Sequence, residues 1–117
     1  MEKFKILDDY PQYQISNHGN IKYKNRLYNK TFVDKDNNIY FGIYNDENEN
    51  EYIDIKDIAY EVAKYFLPVN KSKNRVVKHL DNNKNNNNVH NLYFSNEKVK
   101  DIKPLVSIKV GKFIVQL

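Results

Sequence analysis

Residues 76–94, VVKHLDNNKNNNNVHNLYF, constrain the fold of this chain more than any other segment. A β-branched run leads to His79 and then into a polar stretch that includes the asparagine run 85–88. A second apolar run, residues 92–94, follows. Two strand-like runs around turn-forming residues predict a β-hairpin with a long loop. The position of the asparagines between two strands favours a loop over a low-complexity tract.

Residues 55–67 carry the clearest helical pattern. Their apolar positions recur at helical spacing and form one stripe, which is expected to face the core. Asp54 is predicted to cap this helix, Asp57 to favour its first turn, and Pro68 follows its end. The stripe consists of Ile55, Ile58, Ala59, Val62, Ala63, Phe66 and Leu67.

Short alternating segments elsewhere predict strands. Residues 10–23 indicate strand, turn and strand, with Gly19 supplying a positive φ and His18 exposed in the turn. Residues 39–44 and 51–55 predict a hairpin with a long acidic tip, in which Gly42 marks a bulge or a close packing point.

Two further elements are predicted near the C-terminus. Ser95 is a candidate cap for a short helix over residues 96–102, which Pro104 would end. Residues 105–110 and 113–117 then predict a final hairpin.

Composition narrows the class of protein. A chain of 117 residues fits one domain, or one domain with a tail. The absence of Cys excludes disulfides, thiolate zinc sites and a Cys nucleophile. No apolar run is long enough to span a membrane and no signal peptide is recognisable, so we expect a soluble protein of the cytoplasm with no membrane partner.

The formal net charge of +4 is unevenly spread. Residues 1–33 carry +3, residues 34–57 carry −6 and residues 58–117 carry +7. A basic C-terminal half is the expected footprint of a phosphate-binding surface, although a merely solvated lysine-rich surface is the commoner reading. The acidic middle would face away from DNA or towards a basic protein partner.

Three segments, in order, resemble the HNH homing endonucleases of phages and introns, which are ββα-metal nucleases. Residues 4–22 resemble their small N-terminal NUMOD-type module, and residues 58–68 resemble the helix before the nuclease loop. The nuclease loop itself is matched by His79-Leu80-Asp81-Asn82-Asn83-Lys84, Asn86 and Asn91-Leu92.

The resemblance covers about residues 4–100 and implies an α+β fold. The expected units are an N-terminal antiparallel β module over residues 1–54, an HNH-like ββα core over residues 55–103, and a C-terminal β-hairpin over residues 104–117. The amphipathic helix and the ββα-metal hairpin-helix both fall in the core unit.

The same resemblance assigns roles to individual residues. It makes His79 the general base that accepts a proton from water if the protein is active, and otherwise a hydrogen-bonded residue of the loop; Asn91 is the residue that orients the loop. A divalent cation such as magnesium is usually held by the residue before the base and by a residue of the following helix, positions that are Lys78 and Lys100 here. A protonated amine has no lone pair for a cation, so no metal site and no cofactor are expected.

Nearby side chains could still supply a metal site. Asp81 and Asp101 are the weak candidate ligands, and His90 and Asn96 lie close to them in sequence. We favour loss of the metal site over a metal site formed by these replacement ligands. A lysine could instead bind phosphate directly as a point charge.

Three functions remain open. The favoured one is an HNH-endonuclease-like protein of viral or mobile-element origin, impaired in catalysis, that binds DNA or a host protein. An active metal-dependent nicking or homing endonuclease is the second, and a phage-encoded inhibitor that binds a host protein through the acidic tip, residues 45–51, is the third. The oligomeric state stays open. The residues predicted to contact nucleic acid are Lys71, Lys73, Arg75, Lys78, Lys84 and Lys100.

Overall fold

The computed structural model describes residues 1–45, 47–68, 75–98, 107–110 and 113–116. These residues form an α+β fold of short, mostly antiparallel strands with one α-helix and one 3-10 turn among them. In chain order the elements are β1 (Phe4–Ile6), β2 (Tyr13–Ser16), β3 (Ile21–Tyr23), β4 (Arg26–Tyr28), β5 (Thr31–Val33), β6 (Ile39–Asn45), β7 (Asn48–Asp57), α1 (Ile58–Phe66), β8 (Arg75–His79), the 3-10 turn (Val89–Asn91), β9 (Leu92–Lys98), β10 (Ser107–Val110) and β11 (Phe113–Gln116).

The N-terminal sheet has the order β1-β2-β3-β4, with every pair antiparallel. The predicted strand-turn-strand over residues 10–23 is confirmed, and Gly19 has a φ of 85° in the turn. The sequence did not predict β4, because its turn uses Lys24 and Asn25 with φ values of 50° and 65° and contains no glycine to signal it.

The second sheet has the order β11-β10-β7-β6-β5. The hairpin predicted from residues 39–44 and 51–55 is confirmed, and both strands run further towards the tip than expected. The C-terminal hairpin is also confirmed, over residues 107–110 and 113–116, and β10 pairs in parallel with β7 at Val110 and Tyr52. At Gly42 a Cβ would overlap a ring carbon of Tyr52, so this glycine marks a close packing point.

Helix α1 begins at Ile58, three residues later than predicted, and Asp57 rather than Asp54 is its cap. Residues 55–57 still pair with β6, so the strand continues to the cap residue itself. The Asp57 carboxylate accepts from the backbone N–H of Tyr60 at 3.2 Å, whereas Asp54 accepts from the Tyr10 hydroxyl. Among the described residues, no helix is long and apolar enough to cross a membrane.

The hairpin predicted over residues 76–94 is confirmed as β8 and β9, but the helix predicted over residues 96–102 is wrong where the structure describes it. Residues 96–98 continue β9 as a strand. Ser95 does not cap a helix but lies within β9, where its hydroxyl donates to the Val76 carbonyl across the hairpin at 2.8 Å and accepts from the Glu97 N–H at 3.2 Å. Residues 99–106 lie outside the described residues, so the helical arm of a ββα-metal motif stays a prediction.

One core joins these elements. Three buried residues of the helix stripe, Ile58, Ala59 and Val62, pack with apolar residues of both larger sheets and of β9. The remaining buried members are Leu7, Tyr13, Ile15, Ile21, Phe41, Ile43 and Leu92. The predicted division at residues 54 and 103 stays a prediction.

Candidate functional site

His79 ends strand β8 on the face of the hairpin that is turned towards the core. It stands opposite Leu92, which is 4% exposed, whereas Lys78 stands opposite Tyr93, which is 40% exposed. Because neighbouring residues of a strand point to opposite faces, the side chains of Lys78 and His79 diverge. The two adjacent positions that the resemblance assigns to metal binding and to the general base therefore lie on opposite faces of the hairpin.

The His79 imidazole is held by Asn87. Its Nε2 lies 2.7 Å from Asn87 Oδ1, and the amide nitrogen of Asn87 donates to the Lys84 carbonyl at 3.2 Å. This second bond fixes which end of the amide faces the ring. Because an amide oxygen only accepts, the proton must sit on Nε2, and a neutral ring then has its lone pair on Nδ1. The nitrogen that remains, Nδ1, is the one that could accept a proton.

The loop after His79 is organised around the Asp81 carboxylate. Its Oδ1 accepts from the Asn83 backbone at 2.8 Å and from the Asn91 amide at 2.9 Å, and its Oδ2 accepts from the Asn86 amide at 3.0 Å. These hydrogen bonds, that of Asn86 first, hold the pKa of Asp81 below its ordinary value. Both carboxylate oxygens of Asp81 thus help to hold the loop in shape.

Asn91 ties the end of this loop to its beginning. Its Nδ2 also donates to the Asn86 carbonyl at 2.9 Å, and its Oδ1 accepts from the Asp81 backbone at 3.2 Å. Its own carbonyl accepts from the Leu80 N–H at 2.8 Å. The side chain and the backbone carbonyl of Asn91 thereby join the two ends of the loop, which are about ten positions apart.

Asp57 is a half-buried carboxylate next to this site, and the sequence prediction gave it no role there. Burial raises the pKa of Asp57, while backbone N–H groups of the first turn of α1 and the charge of His79 oppose the rise. The helix cap and the imidazole are therefore close enough to interact electrostatically. The stripe at residues 55–67 located the helix, but it carried no signal that the charge of His79 acts on its cap.

The predicted phosphate contacts are only partly described. Lys78 forms an ion pair with Glu97 at 2.9 Å, and this pair raises the pKa of Lys78. Arg75 donates to the carbonyl of Asn96, and Lys84 donates to the carbonyl of Asp36 at 2.7 Å. Lys71, Lys73 and Lys100 lie outside the described residues, as does Asp101.

In the described part of the chain, the residue before His79 is unsuited to hold a cation. No group of three or more His, Cys, Asp or Glu side chains there is arranged to hold a metal ion. Lys78, at the first ligand position of the family, is an ammonium and turns to the other face. His90 is exposed in the 3-10 turn rather than on a strand, and Asn96 is exposed on β9.

A basic and aromatic cleft lies apart from His79, beside β3 and β4. Lys24 Nζ sits 5.0 Å from the centre of the Tyr23 ring, and Leu27 is 78% exposed. The sequence prediction did not single out this cleft, because the glycine-free turn that forms it was missed. Its lining residues are Tyr23, Lys24, Arg26, Leu27 and Tyr28.

Comparison with known proteins points to a nuclease fold. A scan against protein-family models found no match, and a search of curated proteins also found none. The fold is similar to that of the HNH homing endonuclease I-HmuI, in a solved structure of DNA binding and cleavage by that enzyme. The TM-score is 0.63 at 26% sequence identity, and the match covers 80% of this chain and 52% of that chain. This chain therefore spans about half of I-HmuI and has an HNH-nuclease-like fold over that part.

Proposed function

We propose that this chain is an HNH-endonuclease-like protein that binds DNA and is impaired in metal-dependent cleavage. The observation that carries the proposal is the state of Lys78. It occupies the position before the predicted general base as an ammonium, and it forms an ion pair with Glu97. The family's cation would need a lone-pair donor at that position, and a protonated lysine has none.

Similarity to a DNA-binding nuclease supports DNA as the ligand. I-HmuI binds and cleaves DNA, and the solvent face of the β8–β9 hairpin carries the cation of Lys78 beside the exposed ring of Tyr93. A lysine on such a face can contact a backbone phosphate without any metal. Binding by phosphate contacts is expected to weaken steeply with salt and to be independent of divalent cations.

The binding test uses a fluorescent duplex titrated with protein at several salt concentrations, with and without chelator. Lys78→Ala is expected to weaken binding several-fold and to reduce the salt slope by about one. Lys64→Ala is the matched control, since Lys64 is an exposed cation on α1. Absence of duplex binding at low salt, or equal losses in both variants, would overturn DNA binding through this face.

The proposed impairment of cleavage is tested by placing the usual metal ligands of the family at the two lysine positions. The double variant Lys78→Asp, Lys100→Asn is expected to gain nicking of supercoiled plasmid in magnesium or manganese, and His79→Ala in the same background is expected to abolish it. Metal-dependent nicking by the unaltered protein, lost in His79→Ala, would contradict impairment.

The arrangement around His79 favours a second candidate, an active nuclease. Asn87 already holds the imidazole with Nδ1 as the accepting nitrogen, which is the state a general base requires. Such an enzyme would take ligands from Asp81, Asn96 or Asp101. Plasmid nicking that requires a divalent ion and His79 separates this candidate from the first.

The proposal extends to the origin of this chain, its cellular location and a protein partner. A viral or mobile-element origin follows from the resemblance to phage and intron enzymes, and the interior of a host cell is where their DNA substrates lie. Binding of a basic host protein by the acidic tip stays a prediction, and capture of a protein partner by a variant unable to bind DNA would support it.

A further inference from the structure

Asn87 lies between the His79 ring and the N-terminal sheet. It is 7% exposed, although it belongs to a run of four asparagines whose other members are less buried. One side of Asn87 contacts the imidazole, and the other contacts the turn between β2 and β3. Its burial therefore depends on that turn.

Gly19 is what allows the turn to approach so closely. A Cβ at this position would lie 2.8 Å from Asn87 Cβ and 3.1 Å from the Asn87 carbonyl oxygen. Its φ of 85° is also a conformation that favours glycine. Next to this contact, the Val89 N–H donates to the Asn17 carbonyl at 2.8 Å, so two adjacent contacts dock the asparagine loop on the turn.

The turn is itself held in shape by Ser16, which is fully buried. The Ser16 hydroxyl accepts from the backbone N–H groups of His18 at 3.1 Å and Asn20 at 3.0 Å, and it donates to Glu2 at 2.7 Å. A second anchor runs from the Lys3 N–H to the Asn17 side chain at 2.8 Å. The surface that receives Asn87 is thus organised by contacts that do not involve the loop.

We propose that Asn87 is a positioning residue for His79, and that the turn over residues 17–20 holds Asn87 in place through Gly19. The Asn87 carbonyl keeps the proton of the imidazole on Nε2 and directs Nδ1 away from the amide. The N-terminal sheet thereby acts on the predicted general base without touching it. The proposal concerns the state of the ring, so it holds or fails independently of DNA binding.

The test observes the imidazole N–H of His79 by NMR in alkaline buffer, where the ring is neutral. An imidazole proton exchanges too fast with water to be seen unless a hydrogen bond protects it. We expect a protected proton on Nε2 in the unaltered protein and in Asn87→Asp, which retains an accepting oxygen. Asn87→Leu has similar volume but no acceptor, and its His79 proton signal is expected to disappear.

Asn85→Leu is the matched control, because Asn85 lies in the same run and is exposed. Its His79 signal is expected to match that of the unaltered protein. A signal that survives in Asn87→Leu with undiminished protection, or a proton found on Nδ1 in the unaltered protein, would overturn the role of Asn87.

The role of the turn is tested by Gly19→Ala. The added methyl is expected to displace Asn87 and remove the His79 proton signal while the amide spectrum of helix α1 persists. A folded Gly19→Ala variant with an unchanged His79 signal would overturn that part of the proposal. If Gly19→Ala fails to fold, the pair Asn87→Asp and Asn87→Leu still decides whether Asn87 positions the ring.

Discussion

Asn91 and Asp81 bind each other twice, once through the Asp81 carboxylate at 2.9 Å and once through the Asp81 backbone N–H at 3.2 Å. The two residues stand ten positions apart at opposite ends of the asparagine-rich loop. Asn91 uses both ends of its amide in this pair and so fixes where the strand leading to His79 ends. The shape of the loop therefore depends on an amide at position 91 rather than on any polar side chain.

Substitutions at Asn91 are expected to show how much these two hydrogen bonds stabilise the loop. Asn91→Ala should lower the free energy of unfolding by about 1–3 kcal/mol, because backbone and side-chain groups of the loop lose their partners. Asn91→Asp should lower it further, since a carboxylate would then face Asp81. Urea unfolding measures the free energy of unfolding of both variants. Asn96→Ala, at an exposed position of β9, is the control. An Asn91→Ala variant as stable as the control would contradict this account.

Glu97 is expected to compete with DNA for Lys78. Because the two charges are 2.9 Å apart and the side chains are 43% and 65% exposed, the pair is open to exchange with a phosphate. Glu97→Gln should tighten duplex binding by about two- to fivefold and steepen its salt dependence. Glu47→Gln makes the same charge change at the β6–β7 tip and should have a smaller effect. Equal gains in both variants would indicate a net-charge effect alone.

The elements that the sequence predicted correctly are those with strong periodicity. The stripe over residues 55–67 located α1, and alternating segments located the hairpins. The cap prediction failed because pairing between β6 and β7 continues through residues 55–57, which a helical pattern cannot reveal. The helix predicted after Ser95 failed for a similar reason, since pairing between β8 and β9 continues to Lys98, although the Ser95 hydroxyl still accepts from the Glu97 N–H as a cap would.

The sequence predicted the site only at the residues that match the nuclease loop of the HNH endonucleases. His79 and Asn91 stood out by their spacing, and the structure brings both into the same loop. Asn87 did not stand out, because four consecutive asparagines are equivalent in the sequence. Its burial depends on Gly19, which is distant in sequence, so the contact is a tertiary one that no local pattern encodes.

Gly42 and Tyr52 are expected to show strong energetic coupling. A methyl at Gly42 would overlap the Tyr52 ring, which stacks on Tyr44 at 4.9 Å between centroids, so Gly42→Ala should cost about 1–3 kcal/mol of stability. In a Tyr52→Ala background the overlap with that ring is removed and only the milder contact with Phe32, at 3.1 Å, remains, so the cost should fall by more than half. Tyr52→Phe keeps the ring and should leave the cost unchanged. Urea unfolding of the unaltered protein, the two single variants and the double variant measures the coupling. The set is measured once with Tyr52→Ala and once with Tyr52→Phe.

Glu61 is expected to make the protein less stable as pH rises towards neutrality. The side chain is buried, its Oε2 has no hydrogen-bond partner among the described residues, and Lys56 lies 3.8 Å from its other oxygen. Burial raises the pKa of Glu61 above its ordinary value of 4.5, although Lys56 and Lys64 oppose the rise.

The direction of the pH effect follows from this raised pKa. Between pH 4.5 and the raised value the folded state binds more protons than the unfolded state, so the contribution of Glu61 to stability is complete below that range and is lost as pH rises through it. Glu61→Gln removes the ionisation and should flatten the pH dependence of the unfolding free energy in this range. It should also gain stability relative to the unaltered protein at neutral pH. Glu47→Gln, at an exposed position, is the control and should leave the profile unchanged. A Glu61→Gln profile parallel to that of the unaltered protein would mean that the buried carboxyl is ionised at no cost.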